Sequence, residues 1–443
     1  MNYLDNIIFA ILLVVGIGFF VKNIRKLIRN INLGKNLDRS DNSNLRWKNM
    51  AMVALGQSKM VKRPVAGLLH VLVYVGFIII NIEVIEIIID GLFGTHRVLS
   101  FLGGFYDFLI GSFEVLALLV IVSVTVFWIR RMVIRIPRFW NKEMKGFPKN
   151  DALYILYIEF VLMSLFLIMN AADFNLQNAV GIENNHYAQV GAYPISSIIA
   201  PYLNGLGYSG LIILERTAWW LHIAGILFFL NYLYYSKHLH ILLAFPNTYY
   251  ANLKPLGQLD NLEAVTKEVQ LMMDPNADPF AVPEVDDSEE PEKFGASDVT
   301  DLNWVQLMNA YTCTECGRRT SSCPANQTGK ELSPRAIMMK TRDRLEELGK
   351  NIDKNGEYKE DGKQLLNDYI TPEEIWACTT CNACVEECPV NIDPLSIIID
   401  LRRYLVMEQS AASQELNMMM TNIENNGAPW QYSQMDRLNW KDE

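Results

Sequence analysis

Residues Cys378 to Pro389 read CTTCNACVEECP, so Cys378, Cys381, Cys384 and Cys388 follow a C-x2-C-x2-C-x3-C-P pattern. Spacings this short let three thiolates of one tight turn each hold one corner of a cube, and the fourth Cys, followed by Pro, leaves in a new direction. This is a ligand run for a [4Fe–4S] cluster, and in two-cluster domains its fourth Cys serves the other cluster. Zinc also uses C-x2-C pairs, but it has no need of a third and fourth Cys in this phase before Pro. An imperfect copy lies upstream, Cys313-x2-Cys316-x6-Cys323-Pro324, with Arg319 where the regular pattern has its third Cys. Crossed ligation then gives one cluster Cys378, Cys381, Cys384 and Cys323, and leaves Cys313, Cys316 and Cys388 for the other. A guanidinium stays protonated and offers no lone pair, so Arg319 is no substitute ligand. The smallest change is the loss of one iron, and the second site is expected to hold a [3Fe–4S] cluster. A second [4Fe–4S] cluster whose fourth iron takes another ligand, and outright loss of the cluster, are the alternatives.

All seven cysteines of the 443-residue chain lie between Cys313 and Cys388. A secreted disulfide scaffold would not crowd them so; tight Cys groups on a cytosolic domain read as metal ligands. The net charge of −10 argues against nucleic-acid binding. Half of the residues are hydrophobic, and nearly all the long apolar runs fall in the first 250 or so. Five are long enough to cross a membrane: roughly Ile7 to Phe20, extended by its flanks, Val65 to Ile89, Phe108 to Trp128, Leu153 to Met169 and Leu211 to Tyr235. The first lacks a basic leading segment and a cleavage site, so it reads as a span and not a signal peptide. Lys and Arg crowd the loops Lys22 to Arg63 and Arg130 to Lys149, whereas Asp90 to Tyr106 has only Arg97 and Asp173 to Gly210 has none. The positive-inside rule puts the N-terminus outside and the C-terminal domain in the cytoplasm, in a multi-pass protein of the cell (inner) membrane.

Six histidines remain to be placed. His70 lies in the inner part of the second span, His222 in the outer half of the fifth and His240 at its cytoplasmic end. On a continuous helix, residues 222 and 240 are about five whole turns apart and leave the same face. Paired His rings from facing helices hold haem iron in many membrane cytochromes, and His70 and His240 lie at comparable depth. His222 suits an outer haem, but Ile80 stands about three turns above His70, where its partner would be expected. His238, two residues off register, reads as interfacial; His96 and His186 read as surface residues of outer loops.

With its five spans, LLHVLVYVGF around His70 and the LH…SKHLHI pattern around His222 and His240, the membrane half resembles the cytochrome b subunit of respiratory nitrate reductase. It is still more similar to the membrane subunits of heterodisulfide reductases and of electron-transfer-flavoprotein:menaquinone oxidoreductases. The resemblance implies haem b on His70 and His240, His222 as one ligand of a possible outer haem with His96 or His186 as the other, and a membrane quinone site toward the outer face. The cysteine half, with a helix expected over Pro334 to Leu348, resembles the helical ferredoxin domain of succinate dehydrogenase and heterodisulfide reductase iron–sulfur subunits. The tail NNGAPWQYSQMDRLNW looks like that of heterodisulfide-reductase-type subunits.

The expected fold is all-α: a five-helix transmembrane cytochrome b bundle over residues 1–245, an amphipathic segment and acidic Pro-rich linker over 246–300, a helical dicluster ferredoxin domain over 301–410, and a tail over 411–443. The linker Asp274 to Lys293 has eight acidic residues and four prolines, too polar to pack a core. The expected function is that of a membrane subunit of a quinone-linked oxidoreductase, passing electrons between (mena)quinone, haem b and iron–sulfur clusters. With no flavin or dinucleotide fingerprint and no acid–base constellation read in the chain, substrate chemistry is expected on a cytosolic cysteine-rich iron–sulfur or flavoprotein subunit. A redox sensor or structural anchor is the non-enzymatic alternative. A fused succinate dehydrogenase or fumarate reductase would call for C-x4-C-x2-C, which these cysteines do not supply.

Overall fold

A computed structural model describes residues 3–179, 187, 189–275 and 293–442. Among them there are helices and no strands, apart from two isolated bridges. Five helices are long and apolar enough to cross a membrane: α1 (Leu4–Ile31), α2 (Pro64–Phe93), α3 (Gly104–Met132), α4 (Phe147–Gln177) and α5 (Gly207–Tyr232). At about 1.5 Å per residue each exceeds the roughly 30 Å hydrocarbon core. Every helix therefore runs on into the interfacial layer, beyond the bounds that hydropathy draws. Proline in the first turn starts α2 and α4, where its missing N–H costs nothing, and Gly94 in a left-handed conformation (φ +71°) ends α2. The bundle turns apolar side chains outward, among them Ile7, Ile11, Val14 and Val15 of α1, as a lipid-facing surface requires. Inside, α4 and α5 approach so closely that a Cβ on Gly225 would stand 2.7 Å from Leu162 Cδ2; a small residue at that crossing is what permits the approach.

The pattern Gly205-Leu206-Gly207-Tyr208-Ser209-Gly210 spells G-x-G-x-x-G, although no dinucleotide fingerprint was expected. It ends a 3-10 turn and opens α5, with no strand before it, so the context of a dinucleotide site is missing.

After α5 the chain breaks at Ser236, whose backbone is extended (φ −110°, ψ 147°) and whose hydroxyl accepts from His238 N–H at 3.1 Å. A new helix, α6 (His240–Tyr249), then starts on His240. The expectation of one continuous helix from His222 to His240 is corrected here. Helix α7 (Trp304–Thr312), α8 (Pro334–Asn355) and α9 (Pro394–Arg403) build the cysteine-rich domain. Helix α8 contains the expected Pro334 to Leu348 and runs a further two turns. The domain sits on one end of the bundle, and a single apolar core runs from Leu27, Ile155 and Leu233 into Leu302, Leu307 and Leu345.

Ion pairs and hydrogen bonds from both basic loops secure this docking. Lys26 and Arg29 bind Asp353, each at 2.5 Å, and Lys62 binds Glu386 at 2.7 Å. The fully buried Arg335 reaches Glu143 and the Arg138 carbonyl, both at 2.7 Å. Both Lys/Arg-rich loops therefore share one end of the bundle with the cysteine-rich domain. Most of the acidic linker, residues 276–292, lies outside the described residues.

Candidate iron–sulfur and haem sites

Thr371 and Glu374 cap a short helix whose end delivers Cys378. Thr380 and Asn382 then adopt left-handed conformations (φ +55° and +59°), which turn the chain tightly between Cys378, Cys381 and Cys384. Cys323, preceding Pro324, enters from the other half of the domain. The four thiols line one small cavity closed by Leu332, Pro334, Leu395 and Ile398, so the crossed set is brought together as expected. Among the described residues no three Cys, His, Asp or Glu converge closely enough to hold a single ion. Burial pushes the Cys384 thiol up to about 12, and Cys381 is exposed to solvent.

Cys313, Cys316 and Cys388 gather around Arg319. Its guanidinium is 5 % exposed, donates from Nη2 to Cys313 Sγ at 2.9 Å, and leaves Nη1 buried without a partner. Burial alone would lower its pKa; Cys313, Cys388 and Cys316 instead hold it above the ordinary arginine value. Burial likewise raises Cys316, but the Arg318 amide and the Thr314 hydroxyl overcome it, and the thiol sits below its usual range. This site is electropositive where the first is apolar. Gly317 fixes the local path: its φ is +72°, and a Cβ there would lie 2.7 Å from Arg335 Nη1 and 3.2 Å from Arg138 Cβ.

The three-Cys site faces the membrane helices. Arg318 donates to the Lys59 and Met60 carbonyls, both at 3.2 Å, just before α2, and Lys237 is in ion-pair contact with Glu315, the neighbour of Cys316. Three residues beyond Lys237 stands His240. The His70 and His240 rings have centroids 6.3 Å apart, tilted by 40°. With metal–imidazole bonds of about 2.0–2.1 Å and about 1.1 Å from nitrogen to ring centre, two rings flanking one iron have centroids about 6 Å apart. His240 Nδ1 lies 3.1 Å from the Lys237 carbonyl. A carbonyl only accepts, so Nδ1 carries the proton and Nε2 is the ligating nitrogen. Burial holds His240 below the ordinary histidine value, in the neutral form that ligates. His70 Nδ1 is buried without a partner. The residues present fit a bis-histidine haem.

His238, expected at the interface, packs instead on Phe229 and lies 3.5 Å from Glu159 of α4. It also stays near His240, with ring centroids 5.4 Å apart; the break at Ser236 removes the helical register that would have separated them. His222 is buried and its Nδ1 lies 3.0 Å from the Leu162 carbonyl, which leaves the proton on Nδ1 and a lone pair on Nε2. His96 does not face it. His96 pairs with Asp173 at 3.3 Å, eleven residues along α4 from Leu162, or about 16 Å by helical rise. His186 lies outside the described residues.

One group was missed in the sequence. Glu83, Glu86, Glu114, Asn170 and Asp173 are buried toward the end of the bundle away from the cysteines, around Arg97. The available signal was simple: carboxylates inside apolar runs, such as NIEVIEIIID, are costly and functional by default.

These sites define a class. Residues 308–392 match a family described as a 4Fe-4S dicluster domain. Over 99% of its length the chain is similar to the "Probable iron-sulfur-binding oxidoreductase FadF" of Bacillus subtilis, at 29% identity and covering 61% of that protein. It is 25% identical to the EtfAB:quinone oxidoreductase of Syntrophomonas wolfei over 92% of this chain and 55% of that one. A "Probable membrane-anchored ferredoxin" of Chromohalobacter salexigens is 30% identical over 35% of this chain and 25% of its own length. The chain thus spans somewhat more than half the length of the first two relatives. No solved structure matches. The chain carries an iron–sulfur dicluster domain, its relatives are iron–sulfur oxidoreductases, and an electron-transfer role follows from them.

Proposed function

We propose that this chain is the membrane electron-transfer subunit of a quinone-linked oxidoreductase, passing electrons between a membrane quinone, haem b and two iron–sulfur clusters to or from a cytosolic partner. The observation that carries this reading is the order of the sites. The His70–His240 pair adjoins the three-Cys site through Lys237 and Glu315, and the four-Cys site reaches solvent at Cys381. When bound, the metal groups supply one-electron chemistry; the protein positions them and tunes their potentials. His70 and His240 would hold the haem. Cys378, Cys381, Cys384 and Cys323 would hold a [4Fe–4S] cluster, and Cys313, Cys316 and Cys388 a [3Fe–4S] cluster. Arg319 sets positive charge beside the latter, which favours its reduced state.

By the positive-inside rule the end that bears both basic loops and the cysteine-rich domain faces the cytoplasm. The partner then docks where the four-Cys site comes to the surface. Affinity purification from membranes tests this reading. The expected result is one low-spin haem b per chain and a co-purifying flavoprotein or cysteine-rich iron–sulfur protein. A preparation with filled clusters, no haem and no such partner would favour a simple membrane-anchored redox sensor.

A further inference from the structure

Toward the end of the bundle away from the cysteines, α2, α3 and α4 bury four carboxylates against a single guanidinium. Arg97 donates from Nη1 to Glu83 Oε1 at 3.0 Å and from Nη2 to Asp173 Oδ2 at 3.0 Å and Asn170 Oδ1 at 2.6 Å. Glu86 and Glu114 lie within electrostatic reach of Glu83. Arg216 also lies within electrostatic reach of Asp173, but it is paired with the buried Glu215, so the carboxylates still outnumber the guanidiniums; a membrane interior does not tolerate that surplus negative charge, and the group must hold protons.

The hydrogen bonds single out where. Glu86 accepts from the Leu99 amide at 2.9 Å and the Tyr106 hydroxyl at 3.0 Å, one on each oxygen. Glu114 accepts from Asn170 Nδ2 at 3.2 Å on one oxygen and from the Ile195 and Ser196 amides at 2.9 and 3.1 Å on the other. Asp173 accepts from Arg97, Tyr193 and Gln177 on Oδ2 and faces His96 with Oδ1 at 3.3 Å. Each of these three carboxylates has partners on both oxygens. Glu83 differs: it is 2 % exposed, and its Oε2 has no partner. No donor is aimed at that oxygen, so a proton on it would remove a buried negative charge that nothing else there offsets.

We propose that Glu83 is the proton-holding group of this end of the bundle and the route by which protons reach or leave the quinone, with Arg97 as the fixed cation that stabilises the Glu83 anion between transfers and Asp173 holding Arg97 in place. This rests on the quinone reading above. Oxidation of a quinol releases two electrons and two protons; the electrons pass to the metal sites and on to the partner's acceptor, and for each proton in turn Glu83 first releases its own proton toward the surface and is then reprotonated by the quinol. Reduction of a quinone runs the same balance backwards. Glu83 lies one turn beyond Ile80 on α2, joined through Arg97 to Asn170 and Asp173 of α4.

The full chain, purified with its metal sites loaded, allows a test with two separate readouts. In infrared spectra the wild type should show a protonated carboxylic-acid band that disappears in Glu83→Gln; its absence from the wild type overturns the proton assignment whatever the electron donor. In rapid mixing with a short-chain naphthoquinol, Glu83→Gln should slow haem reduction at least tenfold with unchanged metal content and unchanged reduction by dithionite. Glu83→Asp should restore most of the rate and show a band of its own. Equal rates in wild type and Glu83→Gln overturn the proton route. A wild type that no quinol reduces sinks the quinone reading instead and leaves the infrared result to stand alone. Asp173→Asn, which removes the second Arg97 partner but keeps Glu83, should slow the rate while retaining the band; an unslowed rate would overturn the role of Asp173 in holding Arg97.

Discussion

Replacing His70 or His240 with alanine is expected to leave the chain without its haem b, while the iron and labile sulfide of the dicluster domain stay at wild-type levels. The two rings come from different elements, α2 and the start of α6, and their 6.3 Å separation is that of imidazoles on opposite sides of one iron. His240 is oriented by the Lys237 carbonyl, so its coordinating nitrogen is fixed before any metal arrives. A single remaining imidazole would not hold a low-spin iron. The clusters should persist because the cysteines are held among Leu307, Ile337 and Leu401, which neither substitution touches. The visible spectrum of each purified variant is the check. Full haem content in both would refute the pairing.

Arg319→Cys should change the type of cluster at the three-Cys site. The wild-type guanidinium lies among Cys313, Cys316 and Cys388, is buried, and donates to a thiol it has no lone pair to replace. Oxidised wild type should therefore give a [3Fe–4S] EPR signal beside the [4Fe–4S] signal that appears on reduction. In Arg319→Cys the first signal should vanish and a second [4Fe–4S] signal of equal intensity should replace it. Removing a buried positive charge should also make that site harder to reduce. Iron for two full cubes in the wild type, with no [3Fe–4S] signal, would rule this assignment out.

The membrane half was legible in its helices and not in its interior. Long apolar runs between charged flanks mark candidate spans, and all five fall on helices long and apolar enough to cross a membrane. Their ends were drawn too short because Lys22 to Arg29 stay helical past the apolar run, where Lys26 and Arg29 reach Asp353. The His70–His240 pair was reached by comparing depths, yet the helical register used for His240 fails at Ser236. One serine in an extended conformation leaves no trace in hydropathy. The cysteine sets were legible because their spacing is the chemistry; what Arg319 touches was not. The Glu83 group could not be assembled from sequence, since it depends on which faces of α2, α3 and α4 meet around Arg97, although each carboxylate alone was a signal.

The central claim, that electrons cross from a membrane quinone through a His70–His240 haem to the clusters, comes down to one anaerobic experiment. The purified chain is mixed rapidly with a short-chain naphthoquinol, with the haem followed optically and the clusters by freeze-quench EPR. The account predicts that the haem is reduced first and the clusters after it, and that His70→Ala blocks cluster reduction by quinol but not by dithionite. Clusters reduced by quinol at the wild-type rate in His70→Ala would contradict it.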